Sequence, residues 1–157
     1  MSFNYNRYGD VVVYVDGACP GNGTRYARAG VGVWFDDDHE LNLSLRVPGV
    51  QTNNNAEIYA AIKAIDILLD YNEYCVEIMT DSMFLINCMT KWINKWKLNG
   101  WKNCNGRTVA NKEMLLKLDS LINDMDVVEF TYIRGHNEDY GNEQADMLAR
   151  QAADQFY

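Results

Sequence analysis

Proline is nearly missing from this chain, with 2 in 157 residues, and glycine is limited to 11, which excludes a collagenous or low-complexity protein. No apolar run approaches the roughly 18 residues of a membrane span. Residues 1–8, Met-Ser-Phe-Asn-Tyr-Asn-Arg-Tyr, lack the apolar centre of a secretory signal. No membrane partner is expected, and the expected setting is intracellular, in cytoplasm or nucleus. The four cysteines, Cys19, Cys75, Cys88 and Cys104, form no Cys-x-x-Cys pair. A clustered thiolate zinc site is therefore disfavoured, and reduced thiols are expected. Positive charge is scarce as well: 14 basic residues face 22 acidic ones, for a net −8. Taken alone, that balance argues against a polyanionic partner. What remains is 48% hydrophobic and 23% charged residues, the profile of a packed globular core. The length suits a single domain over 1–157, with residues 1–9 expected as a flexible lead-in.

The charge is unevenly placed. From Lys91 to Lys117 lie Lys91, Lys95, Lys97, Lys102, Arg107, Lys112 and Lys117 against Glu113 alone, a local +6 that leaves −14 for the rest. Such separation lets an acidic protein dock a polyanion locally. Trp92, Trp96 and Trp101 interleave with the lysines, and indoles beside cations suit stacking on nucleic acid. A solvated helix with its tryptophans turned inward fits the same residues, since Trp92 and Trp96 are spaced i,i+4. On this segment alone the two readings stand level.

Along the chain, Val11–Val15 reads as a buried strand ending at Asp16-Gly17. Strands are expected at about 29–35 and 40–47, joined by the turn Asp36-Asp37-Asp38-His39 as a hairpin, with His39 on the surface. Apolar residues Ile58, Ala61, Ile62, Ile65, Leu68 and Leu69 give 54–70 a helical period. A fourth strand follows at 75–80. Helix is expected at 82–89, through the tryptophan segment, and at 108–122. A fifth strand at 126–133, a loop at 134–140 and a helix at 141–153 complete the order. Three successive strands imply an antiparallel part, and the later crossovers a parallel part, so a mixed α/β sheet flanked by helices is expected.

Asp16 and Asp81 end the first and fourth strands. If those strands are parallel neighbours, both acids stand at the carboxyl end of the sheet, where open α/β folds place their chemistry. Glu57, in the first turn of the long helix, borders its apolar stripe, and Asp146 lies on the inward edge of the last helix. Each acid has an ordinary explanation: a turn at Asp16, a cap at Asp81, helix-dipole complements at Glu57 and Asp146. Together they have a sharper one. Four carboxylates in one pocket repel and need cations. Oxygen ligands without His or Cys favour Mg²⁺ or Mn²⁺, and two such ions clamp the attacking and leaving oxygens of a phosphoryl transfer.

The segments Tyr14-Val15-Asp16-Gly17-Ala18-Cys19 with Asn22-Gly23, and Arg28-Ala29-Gly30-Val31-Gly32, have a familiar order. So do Gln51-Thr52-Asn53-Asn54-Asn55-Ala56-Glu57, Thr80-Asp81-Ser82, Trp92 to Trp101, Asn111-Lys112-Glu113, Gly135-His136 and Gly141 to Asp146. Across almost the whole chain the sequence resembles ribonuclease H of type 1, the cellular form that cuts RNA in RNA–DNA hybrids. The resemblance implies a five-stranded mixed sheet in the order 3-2-1-4-5 with a basic protrusion. It implies a catalytic set of Asp16, Glu57, Asp81 and Asp146 holding two Mg²⁺ ions when substrate is bound, with Mn²⁺ as a substitute. His136 would shuttle a proton or aid product release. The products would be a 5′-phosphate and a 3′-hydroxyl.

By the same resemblance Asn22, Asn53 and Asn54, with Glu57, line the RNA strand. The DNA strand would meet Phe84, Trp92, Trp96, Trp101, Lys95, Lys97 and Lys102, with Thr52 and Asn111 forming a phosphate pocket. Val50 stands where eukaryotic members carry Arg, and Asn137-Glu138 replace smaller residues after the loop histidine. No separate hybrid-binding domain is expected, and a monomer is. All four acids are present, which speaks against an idle hybrid-binding module. The tryptophan–lysine insertion between the fourth and fifth strands speaks against a resolvase of the same fold.

Overall fold

The computed structural model describes residues 2–134 and 139–155. Its strands are β1 (Val11–Ala18), β2 (Gly30–Trp34), β3 (Leu43–Arg46), β4 (Cys75–Thr80) and β5 (Val127–Tyr132). They form one sheet in the order β3-β2-β1-β4-β5, as the resemblance implied. β1 runs antiparallel to β2, and β2 to β3, whereas β1–β4 and β4–β5 are parallel. The helices are α1 (Asn53–Asp70), α2 (Met83–Asn87), α3 (Ile93–Asn99), α4 (Lys112–Asn123) and α5 (Tyr140–Ala153). A single π turn over Cys88–Trp92 joins α2 to α3.

The strand alternation of β1 divides the molecule. Val11, Val13 and Val15 are fully or almost fully buried on one face, and Gly17 continues that face against Ala56 of α1. Tyr14, on the other face, lies against Gly141 of α5. The helical stripe of α1 is buried through Ile58, Ala61, Ile62, Ile65 and Leu68, so the period legible in the sequence is its packed face. Among the described residues no helix is long and apolar enough to cross a membrane.

Several boundaries differ from the sequence reading. β1 continues past Asp16 because Gly17 and Ala18 pair with Val31 and Gly30. β3 begins only at Leu43, because the Asn42 side chain closes the preceding turn: its amide accepts from the Phe35 N–H at 2.7 Å and donates to the Asp36 carbonyl at 2.7 Å. α4 begins at Lys112 rather than near Thr108. Residues 102–108 instead form a loop closed by a bridge between Lys102 and Thr108, and the Val109 N–H donates to the Trp101 carbonyl at 2.9 Å. The N-terminal stretch, expected to be flexible, is anchored at Phe3 and Tyr5, while Tyr8 and Gly9 stay exposed. Phe3 is buried, 5.2 Å from the Phe35 ring, and Tyr5 bridges to Val11. His39 is correspondingly not a free surface residue: its ring stacks on Phe3 at 5.2 Å, and Nε2 lies 3.0 Å from the Ser2 carbonyl.

α5 approaches the sheet where β2 lacks side chains. A Cβ at Gly32 would collide with the Ala145 carbonyl and come within 2.9 Å of the Ala149 backbone nitrogen. Backbone cannot rotate away as a side-chain tip can, so Gly32→Ala must lift α5. Overpacking of this kind costs about 1–3 kcal/mol. A fall in Tm of about 3–10 °C is therefore expected in a thermal melt; an unchanged melt would refute the close approach.

Candidate active site and nucleic-acid face

The parallel register brings two acids together from distant parts of the chain. The last paired rung between β1 and β4 is Tyr14 with Met79. Asp16 and Asp81 each stand two residues beyond it, at the carboxyl end of both strands. Glu57 reaches the same point from the buried face of α1, where it is 4% exposed. It accepts a short hydrogen bond from the Gly17 N–H. Carboxylate oxygens of Asp16, Glu57 and Asp81 lie within 4.8 Å of one another.

The ordinary explanations for these acids fail locally. Ser82, not Asp81, caps α2, its hydroxyl accepting from the Leu85 N–H at 3.0 Å. Glu57 lies beyond the first turn of α1, which holds no acid. Asp146 sits in the second turn of α5, whose cap is Asp139 and whose first-turn acid is Glu143.

Electrostatically the trio is frustrated. Burial, followed by repulsion from Glu57 and Asp81, pushes the Asp16 carboxyl far above the usual carboxylate range. Burial, then Asp81, raises Glu57 as well, against the opposing pull of its hydrogen bonds to Asp16, Gly17 and Ser82. An all-oxygen donor set that resists ionisation by itself fits a hard divalent cation.

Asp146 lines the same cleft of about 790 Å³, with Asn53, Asn54, Phe84, Asn142 and Arg150. It does not join the tight trio. Its carboxylate is taken by Arg150 at 2.7 Å, a residue absent from the expected set although its i,i+4 spacing is legible in the sequence. His136, with Asn137 and Glu138, lies outside the described residues.

The expected RNA-side residues cluster at this cleft. Asn53 and Asn54 are exposed at the start of α1, and the Asn22 side-chain oxygen accepts from the Asn53 N–H at 3.0 Å. The Asn22 loop is thereby tied to the helix that carries Glu57.

A neighbouring cleft of about 710 Å³ lies between α1 and α4, lined by Val50, Asn55, Thr108, Asn111 and Lys112. Thr52 caps α1, its hydroxyl accepting from the Asn55 N–H at 3.1 Å. Asn55, buried and absent from the expected set, ties the cleft together. It accepts from the Asn111 amide at 2.6 Å and donates to the Val50 carbonyl at 3.1 Å.

From the acidic cleft a row of rings runs outward. Phe84 meets Trp92 edge-on at 6.2 Å, Trp92 lies 6.0 Å from Trp96, and Trp96 stacks on Trp101 at 5.6 Å. Trp92 is 40% exposed, but Trp101 is only 7% exposed and therefore cannot present a ring to a ligand, contrary to the expected contact. Its left-handed backbone, φ 63°, follows the left-handed cap Gly100 and folds the indole under Trp96. Lys95 and Lys102 are exposed. Lys97 is paired with Asp119 at 2.8 Å and so pins the protrusion to α4. The segment is thus a partly exposed aromatic edge over a buried anchor.

The RNase H family profile matches residues 8–154. Ribonuclease H1 of Rattus norvegicus is 48% identical over 145 residues, 92% of this chain and 50% of that protein. The chain thus spans about half the length of the first curated relatives it matches. Ribonuclease H of Ruthia magnifica subsp. Calyptogena magnifica is 36% identical over 148 residues, 92% of this chain and 95% of that protein. Among solved structures, LC9-RNase H1, a type 1 RNase H, superposes with a TM-score of 0.73 at 28% identity, over 90% of this chain and 71% of that one. A profile match over nearly the whole chain, relatives at this identity and a shared strand order establish that the chain belongs to the RNase H family.

Proposed function

We propose that this chain is a Mg²⁺-dependent endonuclease that hydrolyses the RNA strand of RNA–DNA hybrids, leaving a 5′-phosphate and a 3′-hydroxyl. The observation that carries the proposal is the convergence of Asp16, Glu57 and Asp81 oxygens within 4.8 Å, in a cleft that Asp146, Asn53 and Asn54 also line. Asp16, Glu57, Asp81 and Asp146 would hold two divalent cations when substrate is bound, with Mn²⁺ able to substitute. Such a pair supplies a nucleophilic hydroxide and charge neutralisation at the attacking and leaving oxygens.

The protein's own groups do the positioning. The Gly17 N–H orients the Glu57 carboxylate, and the Asn22–Asn53 bond holds the RNA-side loop. Asn53 and Asn54 carry amides that both donate and accept, which suits reading a 2′-hydroxyl. Phe84 and Trp92 offer apolar surface to deoxyribose. The cleft lined by Asn55 and Asn111, beside the Thr52 cap, suits one DNA phosphate, with Asn55 fixing the Asn111 amide. His136 is assigned to proton transfer or product release, roles suited to an imidazole.

Incubation with labelled RNA–DNA hybrid, double-stranded RNA and double-stranded DNA, with Mg²⁺ or with EDTA, tests the reading. Cleavage of the hybrid's RNA strand alone, abolished by EDTA, is expected. Binding of hybrid without cleavage would mean an idle binding module instead.

The basic protrusion should act through binding. Replacing Lys95, Lys97 and Lys102 with Ala is expected to raise KM with little change in kcat, because contacts remote from the chemistry stabilise ground and transition states alike. The slope of log affinity against log salt, measured in Ca²⁺ to suppress cutting, should flatten by about 0.7–0.9 per lost phosphate contact. Lys97, engaged by Asp119, should contribute least. An unchanged slope would reduce the protrusion to a solvated face.

A further inference from the structure

Arg150 Nη2 lies 2.7 Å from Asp146 Oδ2. The pair is spaced i,i+4 along α5 with the acid nearer the N-terminus, the favoured order on a helix. Such pairs are usually no more than a solvated helix surface. Here both members line the acidic cleft beside Asp16, Glu57 and Asp81. The Asp146 side chain keeps 30% of its exposure and that of Arg150 keeps 65%, so the guanidinium stands on the open side and can leave without disturbing the core. The trio that closes to within 4.8 Å consists of Asp16, Glu57 and Asp81, and Asp146 stays with its arginine.

We propose that Arg150 is a tethered counter-ion that competes with a divalent cation for Asp146, making the two cation positions of the cleft unequal before substrate arrives. The tighter position is the one built by Asp16, Glu57 and Asp81. The weaker one forms only when Asp146 releases Arg150. The Arg150 positive charge also offsets that of Asp146 while the weaker position is empty. The inference rests on the metal-dependent reading above.

The test is Mn²⁺ binding to the protein without nucleic acid, followed by paramagnetic resonance and titration calorimetry. It compares the native chain with Arg150→Met, which keeps an apolar stem but no charge, and Arg150→Lys, which keeps the charge without the planar fork. In Arg150→Met the weaker position should tighten about threefold to fivefold, the scale of an exposed ion pair removed from competition. The tighter position should change by less than about 1.5-fold, because exposed charges further off are screened. Arg150→Lys should fall between. The Mn²⁺ concentration for half-maximal hybrid cleavage should drop by the same factor as the weaker position in Arg150→Met.

An equal shift at both positions would mean a general field effect and overturn the inference. Unchanged affinities would mean a solvated helix pair and overturn it too. A native chain that binds no Mn²⁺ without nucleic acid would overturn this inference alone, whereas hybrid cleavage that survives EDTA would remove the metal-dependent reading and this inference with it, which distinguishes the two failures.

Discussion

Asp81→Asn is expected to cleave the RNA strand of a hybrid at least about a hundredfold more slowly than the native chain, a loss of about 2.7 kcal/mol of transition-state stabilisation. The substitution preserves size and removes one charge from the trio whose oxygens lie within 4.8 Å. Electrostatic stabilisation at a metal-assisted phosphoryl transfer is worth several kcal/mol, so the loss should appear in kcat. The fold should survive, because Ser82 rather than Asp81 caps α2, and the Ser82 N–H is held by the Thr80 hydroxyl at 3.0 Å. Hybrid affinity in Ca²⁺ and the thermal melt are the controls. Near-normal cleavage in Mg²⁺ would displace the catalytic assignment from this cluster.

In metal-free solution Asp16→Asn should be more stable than the native chain at pH 8, with Tm higher by about 3–8 °C, and close to it at pH 4. The sign follows from the direction of the shifts. Burial first, then neighbouring carboxylates, raises the Asp16 and Glu57 carboxyls above their unfolded values. Above about pH 4 the folded chain therefore holds more protons than the unfolded one. The stability that these groups contribute is complete below that pH and is lost as pH rises through their raised folded values. Asn at position 16 removes the most strongly shifted group and relieves Glu57. Millimolar Mg²⁺ should raise the melting temperature of the native chain at pH 8 and that of the variant less, by mass action on the folded state. Equal Tm differences at pH 4 and pH 8 would show that the carboxylates are not frustrated. The variant should be nearly inactive, so stability and activity move in opposite directions at this one residue.

The sequence alone determined the order of the elements and the mixed sheet, and it brought forward Asp16, Glu57, Asp81 and Asp146 as candidates. Alternation and helical period are local properties: Val11, Val13 and Val15 on a strand, or Ile58, Ile65 and Leu68 on a helix, report an apolar face whatever covers it. The motifs from Asp16 to Asp146 carried the family, because their spacing spans almost the whole chain.

Tertiary structure alone decided what each face meets. The two-residue step from the Tyr14–Met79 rung to Asp16 and Asp81 is a register between strands far apart in sequence, and only the folded sheet sets it. Trp92, Trp96 and Trp101 look alike in sequence, yet one is partly exposed and another buried, because a π turn and a left-handed residue rotate the segment against the core. Lys97 and Asp119 are charges on two separate helices, and only the packing of α3 beside α4 brings them to 2.8 Å. Residue pattern reports burial along one element, whereas partnership between elements is a matter of distance across the chain, which no local period encodes.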